Sequence, residues 1–292
     1  MQYAIRMEIA YDYDHPAAFS RQVLRLLPAD LIGEQQVTMA QLTSTPRPEE
    51  WFTGTDFFGN RWDEVAYTAP HETLIFKIDA RVTRLTPRSF LDVSPRLPDL
   101  AREIAGNRSL DPISPHHFLG RSPRIALYPS IAAYARTAAT YTATCFEAVR
   151  ALSEALHRDM TFDANATTAD TSALEAFENR HGVCQDFTHV MITGLRSLGI
   201  PAGYVSGFLR TVPPKGKPRL EGADAMHAWV RAWCGYEMGW IEIDPTNNML
   251  AGSDHIVIGR GRDYADVAPV RGVMRSSGEH TSRQSVDVVP LF

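Results

Sequence analysis

The chain has 292 residues, 44% apolar and 22% charged, with a formal net charge of −5. That length accommodates one large domain or two ordinary ones around a sizeable core. Slight acidity without a long basic run argues against nucleic acid as a partner. No run reaches the roughly 18 apolar residues of a bilayer span, so no membrane partner is expected.

The first residues, Met1 to Ile9, alternate in polarity and lack the continuous apolar stretch of a secretory leader. Cys145, Cys184 and Cys234 are far apart and form no CxxC pair for zinc or dithiol chemistry. An odd, sparse cysteine count suits a reducing cytoplasm, which is the expected location.

In chain order, the first third reads as β. Ile5, Met7, Ile9, Tyr11 and Tyr13 fall on every second residue and share one face of a strand, which Pro16 is expected to end. Residues 37–42 form a second short strand. Residues 51–57 and 62–67 flank a tight turn at Phe58-Gly59-Asn60, and a further strand covers 73–82. Short turns between neighbours predict an antiparallel sandwich or partial barrel. Proline then thickens from Pro87 to Pro129, and the boundary is placed near residue 112, giving domains 1–112 and 113–292.

Residues 131–157 carry helical spacing in two pieces, and Asp170-Thr171-Ser172 offers an N-cap for a helix from Ala173 to Glu178. Gly182 is expected to supply the left-handed stop. A helix from 184 to 198 follows, with Phe187, Val190, Met191, Leu195 and Leu198 on one face. Strands are then expected over 202–208, 227–233 and 239–244. A polar loop from Arg210 to Ala225 holds Lys215, Lys217 and Arg219, a basic cluster read as solvated. The alternating tail from Gln284 to Pro290 is expected to return to the sheet.

Three residues of this second half suggest chemistry. Cys184 sits in the first turn of its helix, where unpaired backbone N–H groups favour thiolate over thiol. His227 begins one strand and Asp244 ends the next. In an antiparallel hairpin turning at 236–239, those two positions are neighbours. The carboxylate can then fix the imidazole tautomer while the ring faces the sulfur, and the Cys184 N–H is a natural oxyanion donor. Each residue alone has an ordinary structural reading: a small core thiol, a strand-leading histidine and a turn-forming Asp-Pro. Only together do they describe one site.

Secondary candidates surround these three. Asp186 suits the helix dipole or a substrate contact, and Gln185 can donate a hydrogen bond near the site. Asp224 can orient the loop before His227. Trp229 and Trp240 are read as core aromatics in preference to substrate platforms. His116-His117 lacks partners at metal spacing. Trp51 and Trp62 are candidates for recruiting a partner protein.

The segments Gly182-Val183-Cys184-Gln185-Asp186-Phe187, Leu195 to Ala202, Tyr204-Val205-Ser206-Gly207, His227-Ala228-Trp229-Val230 and Asp244-Pro245-Thr246-Asn247 resemble the transglutaminase-like superfamily, in its bacterial cytoplasmic branch described as cysteine proteases. Asp56-Phe57-Phe58-Gly59-Asn60 and Pro70 to Leu74 resemble the β-rich region preceding the core in that branch. The resemblance implies an α+β fold: an N-terminal antiparallel β sandwich-like domain, then a papain-like core with a Cys-bearing helix packed on an antiparallel sheet. It also implies Cys184 as nucleophile, His227 as base and then acid, and Asp244 as orienting carboxylate. The expected activity is acyl transfer at an amide of a protein or peptide substrate, with hydrolysis favoured over cross-linking. A non-catalytic binding module is the rival. No acidic loop suits calcium, and no metal or cofactor is expected. Met226 stands where a small residue is expected and would narrow the cleft.

Overall fold

The structure is a computed structural model that describes residues 1–85, 91–164, 166–168, 170–211, 222 and 224–291. The stretch holding Lys215, Lys217 and Arg219 lies outside these residues, as does Pro87.

Strand β1 (Gln2–Leu24) is the spine of the N-terminal sheet. It is accompanied by β2 (Gln35–Thr45), β3 (Glu50–Thr55), β4 (Arg61–Tyr67) and β5 (His71–Arg84), in the order β2-β5-β1-β4-β3. Tyr3, Ile5, Met7 and Ile9 are buried, as strict alternation requires. Pro16 does not end the strand. It is exposed and lies between Asp12 and Ala17, where pairing with β5 loses register. A residue without an N–H is tolerated where the ladder is already broken. Phe19 then takes a left-handed φ of 50°, and the chain continues as the partner of β4. One strand therefore serves both halves of a bent sheet.

The turn between β3 and β4 is built as its residues suggest. Asp56 Oδ1 accepts the N–H groups of Phe58 and Asn60, and Gly59 supplies a φ of +85°.

The helical layer contains α1 (Leu97–Gly106), α2 (Pro129–Ala138), α3 (Cys145–Asp159), α4 (Ala173–Asn179) and α5 (Cys184–Ser197). Proline in the first turn pre-sets the backbone of α2. A reciprocal cap between Thr144 and Glu147 starts α3. These helices pack on one face of a five-stranded antiparallel sheet: β8 (Ala202–Leu209), β9 (Ala225–Trp233), β10 (Trp240–Asp244), β11 (Met249–Leu250) and β12 (His255–Gly261). Its strand order is β11-β10-β9-β8-β12. Ala228, Val230 and Ala232 meet Phe187, Val190 and Met191 in this core. Two short strands, β6 (Thr161–Phe162) and β7 (His181–Gly182), pair in parallel just ahead of α5.

The other face of the five-stranded sheet is covered by the N-terminal sheet. Phe208, Ile256 and Ile258 pack among Leu24, Phe76 and Ile78. Three layers result: helices, core sheet and N-terminal sheet. The helical layer draws on residues from both sides of residue 112. Leu100 and Ile104 of α1, before that point, join the helical core. After the short helix α6 (Tyr264–Val267), strands β13 (Val270–Arg275) and β14 (His280–Leu291) pair with β1, so the tail returns to the N-terminal sheet and not to the core sheet.

Candidate active site

Cys184 opens α5 and is half-buried. The approach to it is tightly specified. The left-handed residue after α4 is Arg180 (φ 59°), not Gly182, and its guanidinium lies 4.2 Å from the Phe177 ring centroid. Gly182 is needed for another reason: a Cβ there would stand 2.6 Å from Asp186 Oδ2. That oxygen accepts the Val183 N–H (2.8 Å) and the Thr167 hydroxyl (2.6 Å), holding the turn that precedes the cysteine. Asp186 is therefore a buried capping residue of the helix start. Its other oxygen is buried without a partner among the described residues. Burial raises its pKa against the pull of the two donors. Gln185, beside it, is also buried.

His227 lies near the start of β9, and Asp244 closes β10. The hairpin between them pairs Val230 with Ile243 and turns through Gly235 and Gly239, both at positive φ. His227 Nε2 is 2.7 Å from Asp244 Oδ2. Cys184, too, favours a charge on this ring. With Nε2 committed to the carboxylate, Nδ1 is the nitrogen left for the sulfur. Burial opposes a charge on this ring, but the hydrogen bond to Asp244 and the influence of Cys184 outweigh it and push the pKa up to about 10.

Asp244 is fully buried and surrounded by donors. Oδ1 accepts the N–H groups of Thr246 (2.9 Å) and Asn247 (3.2 Å). Oδ2 accepts the Asn247 side-chain amide (2.7 Å) and faces the Nε2 atoms of both His227 and His255, the latter at 3.2 Å. Burial alone would raise its pKa. These partners, His227 first, hold it far below the usual carboxylate range instead.

His255 was not among the residues singled out from the sequence. It leads an apolar run, Ile256-Val257-Ile258, as His227 leads its own strand, and that repeated pattern is the signal that could have found it.

Trp229 is fully buried and so cannot act as a substrate platform. Its ring stacks on His227 (centroids 6.1 Å apart, 29° between planes) and meets His255 edge-on at 5.1 Å. Its indole N–H donates to Glu242 at 2.8 Å. Glu242 is ion-paired to Arg260 at 2.5 Å, with Arg84 of the N-terminal sheet 3.9 Å away. Burial would raise the Glu242 pKa, but these arginines and the indole bring it down to about 2. Trp240 is half-buried and donates to the Ile113 carbonyl, and Arg231 covers its ring at 4.2 Å.

Asp224 anchors the chain ahead of β9. It accepts the Thr211 N–H and hydroxyl (both 2.7 Å) and the Val288 N–H (2.6 Å), tying both ends of the 211–224 loop to β14. Met226 packs against the cluster of Phe208 and Ile256. Cys145 and Cys234, distant in sequence, are fully buried, and the Cys145 thiol lies 3.9 Å from the Trp233 carbonyl.

His227, Asp244 and His255 each offer one metal-ligating atom, all within 4.8 Å of one another. Both imidazole Nε2 atoms, however, are in direct hydrogen-bond contact with the same carboxylate oxygen, and an ion could enter only if those contacts opened. Among the described residues, no helix is long and apolar enough to cross a membrane.

Comparison with known proteins agrees with this architecture. Residues 131–245 match the transglutaminase-like superfamily, and residues 3–83 match the bacterial transglutaminase-like N-terminal region. An uncharacterized protein of Mycobacterium tuberculosis is 35% identical over 271 residues, covering 88% of this chain and 83% of its own. One of Mycobacterium leprae is 44% identical over 117 residues, or 38% of this chain and 39% of its own. Among solved structures, a Cytophaga hutchinsonii protein named "Putative Cysteine Protease" superposes with a TM-score of 0.77 at 21% identity, covering 99% of this chain and 90% of its own, and so shares the fold. The chain belongs to the transglutaminase-like superfamily, a thiol-based acyl-transfer family, and carries that family's bacterial N-terminal region ahead of the core.

Proposed function

We propose that the protein is a cysteine-dependent amidase acting on a peptide or isopeptide bond of a protein or peptide substrate in the cytoplasm. The observation that carries this reading is the His227 ring, held by Asp244 at 2.7 Å and electrostatically coupled to Cys184 at a helix start. The upward shift of the imidazole pKa suits its role as proton donor to the departing amine.

In this mechanism Cys184 Sγ attacks the carbonyl carbon. The C=O electron pair moves to oxygen, where the Cys184 N–H stabilises it. Collapse breaks the C–N bond, and Nδ1–H of His227 delivers its proton to the departing amine, leaving a thioester. Water then gives a proton to Nδ1 as its oxygen attacks the thioester. Collapse releases the carboxylic acid and restores the thiolate–imidazolium pair. Asp244 keeps Nε2–H in place throughout.

A cysteine-directed activity probe, read by mass spectrometry, tests the assignment. Wild-type protein should be labelled at Cys184, and C184A should not. Labelling that persists in C184A would overturn it. Incubating wild type and C184S with a peptide library plus a free amine separates hydrolysis from cross-linking. A product-free result in both would favour a binding module that retains the cleft.

A further inference from the structure

The oxygen that His227 uses is shared. Asp244 Oδ2 faces three side-chain donors: His227 Nε2 at 2.7 Å, Asn247 Nδ2 at 2.7 Å and His255 Nε2 at 3.2 Å. The protonation of the third group can be read from its other nitrogen. The Gly252 N–H donates to His255 Nδ1 at 3.2 Å. A backbone amide can only donate, so Nδ1 carries a lone pair and the ring proton sits on Nε2, toward Asp244. His255 is thus neutral and still a donor.

That combination matters beside a charged neighbour. The His227 and His255 rings are 6.1 Å apart and face one carboxylate. Two cations there would compete for one negative charge, whereas a neutral donor immobilises the oxygen without drawing on it. His255 is only 1% exposed, and Trp229 meets its ring edge-on at 5.1 Å, so bulk water cannot take over its hydrogen bond.

We infer that His255 is a positioning residue of the proposed reaction, a neutral Nε2–H donor that fixes Asp244 Oδ2 and thereby the orientation of the His227 ring. This rests on the assignment of Cys184, His227 and Asp244 made above.

The test uses the full-length protein and needs no identified substrate. Iodoacetamide alkylation of Cys184 is timed at neutral pH by intact mass, with peptide mapping to confirm the site, since Cys145 and Cys234 are fully buried. H255F keeps a ring but removes the donor. H255Q keeps an amide N–H. H255F should react about tenfold more slowly, as for loss of one hydrogen bond to a charged group, and H255Q should stay within about threefold of wild type.

Nitrogen-15 NMR of the imidazoles in the wild-type protein supplies an independent readout and should show His255 as the Nε2–H tautomer. It decides the matter with H255Q if H255F fails to fold. Unchanged alkylation in H255F, equal losses in both variants, or a proton on Nδ1 of His255 would each overturn the inference. If wild-type Cys184 reacts no faster than free glutathione, the functional reading fails instead, and the NMR tautomer still reports on His255.

Discussion

Two buried carboxylates flank the candidate nucleophile and are treated in opposite ways. Asp244, at the end of β10, is met by donors on both oxygens, and its pKa is driven far down. Asp186, in the first turn of α5, has donors on one oxygen only, and burial drives its pKa up. Both are hidden from solvent. The number of donors therefore separates a carboxylate built to hold charge from one built to hold a backbone turn. The first kind can support an imidazolium, while the second fixes where the helix begins.

The sharpest way to break this comparison is to neutralise each carboxylate in turn. D244N should lower kcat/KM by about 10⁴-fold, because an amide misdirects the imidazole tautomer. D186N should leave kcat/KM within about threefold and cost about 1–3 kcal/mol of stability, because the amide nitrogen would take the buried place where Oδ1 has no partner among the described residues. Steady-state kinetics and urea midpoints on both variants check this. Equal losses would erase the distinction.

A smaller effect is expected from G182A. The added Cβ stands 2.6 Å from Asp186 Oδ2, so the cap must move. A loss of about 1–3 kcal/mol should appear in urea denaturation. Full stability would show that the turn can relax and that Asp186 is not pinned by Gly182.

A further effect is a pH dependence. The pKa of His227 is raised from 6.5 to about 10, so its contribution to stability is fully present below 6.5 and is lost as pH rises through 10. Asp244 is shifted downward, so its contribution is present above its unfolded value of 3.8 and is lost only as pH falls well below that. Wild-type protein should lose stability between pH 6.5 and 10, and H227Q should show a flatter slope there. Parallel slopes in urea midpoints would remove His227 as the source.

Much of the architecture was legible in the order of residues. Alternation located β1, β5 and β9, and the Ser172 cap with the apolar stripe from Phe187 located α4 and α5. Where local reasoning failed, a distant partner had intervened. Pro16 looked terminal because its own N–H is missing, yet β4 and β13 pick up the strand beyond it. Gly182 looked like a helix stop, but its hydrogen side chain leaves room for Asp186. His255 escaped notice because the crossover from β11 to β12 carries it to Asp244 from outside the hairpin that holds His227.

By itself, the sequence determined the periodicities, the turn chemistry and the helix-start position of Cys184, because these depend on neighbours a few residues away. Tertiary structure alone decided that β13 and β14 close the N-terminal sheet, that Trp229 is sealed from substrate, and that Asp244 is shared by two imidazoles. Burial and hydrogen-bond satisfaction are properties of groups far apart in the chain, and they take definite values only when the layers pack.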